Sequence, residues 1–152
     1  MRFDIEKINT GTWFDFFKSE VDDDGNVKYF DPEKNAGKIQ IRPIDPETLE
    51  SIQNKTRTEH EKFINNKKTR QLERVVWFTQ TDQQKKAERE AIWDYAIPSF
   101  TGMLDGKDNE IPVTLENKMK LMAIPVFARC VSRCLELAGT YEEAEKKTKA
   151  KN

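Results

Sequence analysis

One long apolar stripe constrains this chain more than any other feature. From Thr114 onward, Leu115, Met119, Met122, Val126, Cys130 and Cys134 recur every three or four residues, and Ile124, Phe127, Val131 and Leu135 widen the stripe. Thr114, preceded by Pro112, is placed to cap this helix, Pro125 is expected to kink it by removing a hydrogen bond, and Gly139 is the expected C′ residue. A helix that is apolar along one side needs a second layer to cover it. Residues 13–44 can provide one, because they are rich in aromatic and β-branched side chains and are broken by the turn compositions Asp22-Asp23-Asp24-Gly25-Asn26 and Asn35-Ala36-Gly37. Strands are predicted over 13–18, 27–30 and 38–44; in the last, Ile39 and Ile41 alternate with Gln40 and Arg42, as in a half-buried strand.

The expected fold is therefore α+β, a small N-terminal antiparallel sheet of three or four short strands followed by a helical C-terminal part. Residues 1–44 form the sheet region, 45–139 are mainly helical and pack on it as one domain, and the charged tail 140–152 frays. Asp45-Pro46-Glu47 opens a short helix with Leu49 and Ile52 on its apolar edge. Thr81-Asp82-Gln83-Gln84 has the form of a capping box, and Ala87, Ala91, Ile92 and Tyr95 then mark one side of a helix that stops near Ile97-Pro98. The polar stretch 55–74 reads as a solvated linker or exposed helix, with Phe63, Ile64 and Leu72 its only large apolar residues. Val75-Val76-Trp77-Phe78 is either a short strand joining the N-terminal sheet or the end of a buried helix, and is expected to be buried in both cases.

Composition narrows the function. Lys and Arg number 26 against 27 Asp and Glu, a net charge of −1, so no overall field draws in nucleic acid or anionic lipid, and neither is expected as a partner. The longest apolar run, 121–128, is too short to span a bilayer. Residues 1–10 contain Arg2, Asp4, Glu6 and Lys7 and lack the apolar centre of a secretory leader, and Cys130 and Cys134 offer no disulfide framework, so a cytoplasmic location is expected.

Chemistry-bearing motifs are sparse. Glu20, Asp22, Asp24, Gly25, Val27 and Asp31 fall at the ligand spacing of a calcium loop, yet Pro32 and strand-like flanks favour a hairpin turn in which Gly25 or Asn26 takes positive φ. His60, the only histidine, precludes a multi-histidine zinc site, and both cysteines read as buried thiols with raised pKa. Asp94, Asp105, Asp108 and Glu110 gather near a turn and read as solvated carboxylates. No phosphate-binding glycine loop, nucleophile elbow or zinc-protease signature occurs, so no cofactor, metal or catalytic residue is expected. Ile97, Phe100, Met103, Leu104, Met119 and Met122 cluster around the turn between the last two helices; the leading reading of such a cluster is core, and the other is a contact face, where methionine suits adaptable contacts.

The order of Gly11-Thr12-Trp13-Phe14, Gly37-Lys38-Ile39-Gln40-Ile41-Arg42-Pro43-Ile44, Ile92-Trp93-Asp94-Tyr95-Ala96-Ile97, Asp105-Gly106 and Ile111-Pro112-Val113-Thr114-Leu115-Glu116-Asn117-Lys118 resembles that of the tail assembly chaperones of tailed bacteriophages and prophages, over most of residues 11 to 138. The resemblance implies a protein that is not an enzyme, binds the tape-measure protein, keeps it soluble in the host cytoplasm until tail-tube subunits polymerise, and is absent from the mature virion. The six residues from Ile97 to Met122 are the expected contact face, with the tail-tube protein and a second copy of the chain as further candidate partners. A structural tail or baseplate component and a small nucleic-acid binder using residues 55–74 are the competing readings.

Overall fold

The computed structural model describes residues 10–150, with side chains described as far as Gly139. The chain divides into two compact units, one built from residues up to Ile44 and from Trp93 onward, the other from Asp45–Ile92. The reading of residues 1–10 falls almost wholly outside the described range.

In the first unit, β4 (Lys38–Ile41) is the centre of a three-stranded antiparallel sheet. It pairs on one side with β1 (Thr12–Asp15), Phe14 opposite Ile39, and on the other with β7 (Ser99–Thr101), Phe100 opposite Ile39. Cross-strand partners share a face. Phe14, Ile39 and Phe100 therefore point together toward the helical layer, joined by Ile41, and Trp13 and Gln40 point away. Helix α3 (Leu115–Met122) and helix α4 (Pro125–Ala150) form that layer. Phe127, Cys130, Val131 and Cys134 of α4 close the core against Ile39, Ile41, Ile97 and Phe100.

A separate hairpin joins β2 (Ser19–Val21) to β3 (Val27–Tyr29). Its turn is made by Asp22, whose Oδ1 accepts the amides of Asp24 at 3.0 Å and Asn26 at 2.8 Å, while Gly25 takes φ 83°. The Asp22 carboxylate is thus used by the backbone, which supports the turn reading of this segment. Arg129 of α4 ties the hairpin down, its Nε donating to Ser19 Oγ at 2.6 Å and its Nη2 to Ser19 O at 3.1 Å.

In the second unit, α1 (Pro46–Lys55) starts at Asp45, whose Oδ1 accepts the Thr48 amide at 2.7 Å. Strands β5 (Thr58–Asn65) and β6 (Leu72–Thr79) make an eight-residue antiparallel hairpin, Thr58 opposite Thr79 and Asn65 opposite Leu72. Helix α2 (Asp82–Ala96) follows, its residues from Trp93 belonging to the first unit. The capping box is formed as expected, Gln84 N donating to Thr81 Oγ1 and Thr81 N to Gln84 Oε1. Gln84 Nε2 also reaches Thr58 Oγ1, and Glu88 accepts from Arg57 and Gln80, fixing α2 beside the open end of the hairpin.

The α+β expectation holds, with differences in detail. The strand expected over 13–18 ends at Asp15, with the Phe16 amide still bonding Gly37 O in the same register, and the next strand, in another sheet, begins only at Ser19. Strand β4 ends at Ile41, because the Arg42 amide bonds Ala96 O and Pro43 has no amide to give. Beyond Lys55, which ends α1, the stretch to Arg74 is neither linker nor helix but β5, a turn and the start of β6. Residues 75–78 pair with β5 rather than with the N-terminal sheet and are largely exposed rather than buried, because the hairpin has water on both faces. Pro125 does not kink one helix but begins a second, where a missing amide costs nothing. Helix α4 runs through Gly139 to Ala150, so Gly139 is no cap and the tail backbone is helical; the tail side chains lie outside the described ones. Among the described residues no helix is long and apolar enough to cross a membrane.

Gly11 enters β1 with φ 88°, and a Cβ there would stand 2.7 Å from Ile41 O. Gly11→Ala should therefore cost about 1–3 kcal/mol, through both the backbone and the β1–β4 pairing. A drop in the urea midpoint with an unchanged slope is the expected result.

Candidate partner-binding surface

The six residues expected to form a contact face divide by depth. Ile97 follows α2, its amide held by Trp93 O at 3.0 Å, and Phe100 sits on the buried side of β7; they are 0% and 2% exposed. Both are core, so a partner cannot touch them, and the expectation is corrected for these two. The register decides it, since pairing with Ile39 turns Phe100 inward.

Met103 and Met122 are half-buried and pack on the cluster that holds Ile97 and Phe100. The Met103 thioether lies over Gly37, where a Cβ would come within 3.0 Å of it. Leu104 follows in a bridge with Glu110, backed by the Ile111 amide donating to Met103 O, and its side chain is 58% exposed. Met119 is half-buried on α3. That helix is capped at Thr114, whose Oγ1 accepts the Asn117 amide at 3.2 Å, and Asn117 Nδ2 reaches back to Pro112 O at 2.9 Å. Val113, Leu115 and Ile124 are also exposed, which periodicity had placed in a core stripe in the case of Leu115 and Ile124. A stripe shows which side of a helix is apolar, not whether another layer reaches its ends.

Lys118 was not visible as a special residue in the sequence. Its side chain is 8% exposed, and Nζ lies 2.8 Å from Asp94 Oδ1 and 3.4 Å from Asp94 O, joining α3 to the end of α2. Two of the other carboxylates near this turn serve the backbone. Asp105 Oδ1 accepts the amides of Lys107 and Asn109, and Glu110 Oε1 accepts that of Gly102. No group of three or more metal-ligating side chains is found among the described residues.

Cys130 and Cys134, both buried, interact with each other one helical turn apart. Hydrogen bonding to Cys130 and burial push the Cys134 thiol up. The expected upward shift does not extend to Cys130, which the hydrogen bonds from Cys134 and the Phe17 backbone hold down against burial. His60, expected without a partner, stacks on Trp77 with ring centroids 5.4 Å apart and lies 2.7 Å from Thr79 Oγ1.

Compared with known protein families, characterised proteins and solved structures, the chain matches none.

Removing the carboxylate from the Lys118 pair strands a buried ammonium. Asp94→Ala should destabilise by about 1–3 kcal/mol, whereas Lys118→Met, which keeps the shape and removes the charge, should cost less. Chemical denaturation of the two variants checks the order. In the native protein both thiols should resist a water-soluble disulfide reagent at pH 8 and react only at the rate of opening.

Proposed function

We propose that this chain is a tail assembly chaperone, not an enzyme, which binds the tape-measure protein in the cytoplasm of a bacterial host and holds it soluble until tail-tube subunits replace it. The observation that carries this reading is Leu104, a large aliphatic side chain 58% exposed beside Met103 on a turn fixed by backbone and carboxylate hydrogen bonds. A rigid turn that presents an apolar side chain suits an amphipathic helix, which needs an apolar surface and releases when a better one arrives. Met103, Met119 and Met122 lie half-buried in the same unit and add side chains that adapt to varied partners. The motif order over residues 11 to 138 supplies the identity of the partner.

Co-expression with the tape-measure protein of the same genome tests the reading. Leu104 is exposed and stands outside the buried core, so Leu104→Asp should leave the fold in place and weaken binding about tenfold, with the tape-measure protein moving to the insoluble fraction. Met119→Asp should act in the same direction. Solubility unchanged in both variants, or the chain found by mass spectrometry as a stoichiometric part of purified particles, removes the chaperone assignment.

A further inference from the structure

The hairpin β5–β6 belongs to neither the core nor the surface proposed above. Residues paired across it share a side, so Phe63, Leu72, Val76 and Phe78 lie on one face with Glu59 and the Glu61–Arg74 ion pair. The opposite face also meets water, with Trp77 40% and Ile64 42% exposed, but the Trp77 ring is partly sheltered. His60 stacks on Trp77 there, and Lys62 Nζ stands 5.9 Å from the same ring. The first face is bare, with Phe63 61%, Leu72 68%, Phe78 53% and Val76 37% exposed. That leaves on the order of 400 Å² of apolar surface in water, the size of a contact patch, on a two-stranded ribbon that is marginal by itself.

We infer that this face packs on the same face of a second copy, as a two-fold dimer with the two hairpins stacked antiparallel. Charge selects the direction. The turn 66–71 carries Lys67, Lys68 and Arg70, all exposed, and no acidic residue, while the open end carries Glu59 on the bare face, Arg57 held by Glu88, and Lys85 near Phe78. Stacked in the same direction, the two cationic turns would meet and repel. Stacked antiparallel, each turn lies toward the second copy's Glu59, and Phe78 comes over the second copy's Leu72. Two such faces withdraw about 800 Å² of apolar surface, and the polar rim brings the total to the roughly 1,000 Å² at which specific interfaces begin. Nucleic acid fits the face less well, since Leu72 and Val76 cannot stack on bases and Glu59, Glu61 and Glu73 interrupt the cations along the ribbon.

Sedimentation equilibrium of the full chain over a concentration series should give a monomer–dimer equilibrium. Leu72→Glu combined with Phe78→Glu should weaken it about a hundredfold. The circular dichroism spectrum should persist, because both side chains are already exposed in the single chain. Glu59→Lys should weaken the dimer, as should Lys67→Glu with Lys68→Glu, and all three together should restore it. Leu72→Cys with Phe78→Cys should form a disulfide between copies under mild oxidation, and neither single variant should. Within one copy the two positions lie roughly 20 Å apart on one strand, too far to join. A chain monomeric at every concentration, a dimer indifferent to the Leu72 and Phe78 pair, or cross-linking through Leu72→Cys alone overturns the proposal. So does salt-sensitive binding of an oligonucleotide by a monomeric chain, lost in Lys67→Glu with Lys68→Glu, which assigns the hairpin to nucleic acid instead.

Discussion

The contact between β4 and α4 is the constraint on which the first unit depends. Ile39 and Ile41 are fully buried on one side of a strand flanked on both edges, and they meet Phe127, Cys130, Val131 and Cys134, a set spaced at three and four along the helix. The two periodicities have to agree in space. A shift of one residue in β4 would send Gln40 inward and both isoleucines into water. The neighbouring strands hold that register, β1 through Phe14 and β7 through Phe100, and neither residue has another buried surface available to it. Leu104 is exposed for the same reason, since the chain leaves β7 at Thr101 and the turn that follows extends past the edge of the sheet.

Polar anchors fix what the apolar layer alone would leave free to slide. Arg129 uses two nitrogens on Ser19, and Arg133 lies 5.6 Å from the centroid of the Tyr29 ring, so α4 holds both strands of the β2–β3 hairpin. Lys118 does the same between α3 and the end of α2. Desolvating an ammonium is costly, and an apolar side chain of the same length would come close to it in stability. What the ion pair adds is selectivity: Lys118 has its carboxylate in only one placement of α3, and that placement leaves Met119 and Met122 at the surface of the core rather than within it.

Side chains that face a single environment were legible in the sequence. Ile39 and Ile41 alternate with Gln40, and Val126, Cys130 and Cys134 follow a helical period, so the central strand and the long helix are written in the sequence. The caps at Asp45, Thr81 and Thr114 were equally plain, because each depends on a local hydrogen bond. The hairpin β5–β6 was not legible, for a physical reason. Both of its faces meet water, so Glu59, Glu61 and Lys62 occupy positions that a buried strand would give to apolar residues, and no alternation survives. Its turn hides as well, since the positive φ falls on Arg70 rather than on Gly or Asn. For the contact face the failure had the opposite form. Ile97 and Phe100 sit beside the correct turn in the sequence, but only the pairing of Phe100 with Ile39 determines that they point inward.

Exposed apolar side chains in this chain therefore have two distinct origins. Leu104 and Leu115 border a finished core, and their exposure leaves the fold beneath them intact, so a partner can come and go there without refolding anything. Phe63, Leu72 and Phe78 stand on a ribbon with no second layer, where the same exposure weighs on the element itself. A transient client suits the first situation and a lasting contact suits the second, because covering the ribbon stabilises both the interface and the hairpin that forms it. The proposed binding at the turn after β7 and the proposed association through the hairpin thus answer different energetic problems.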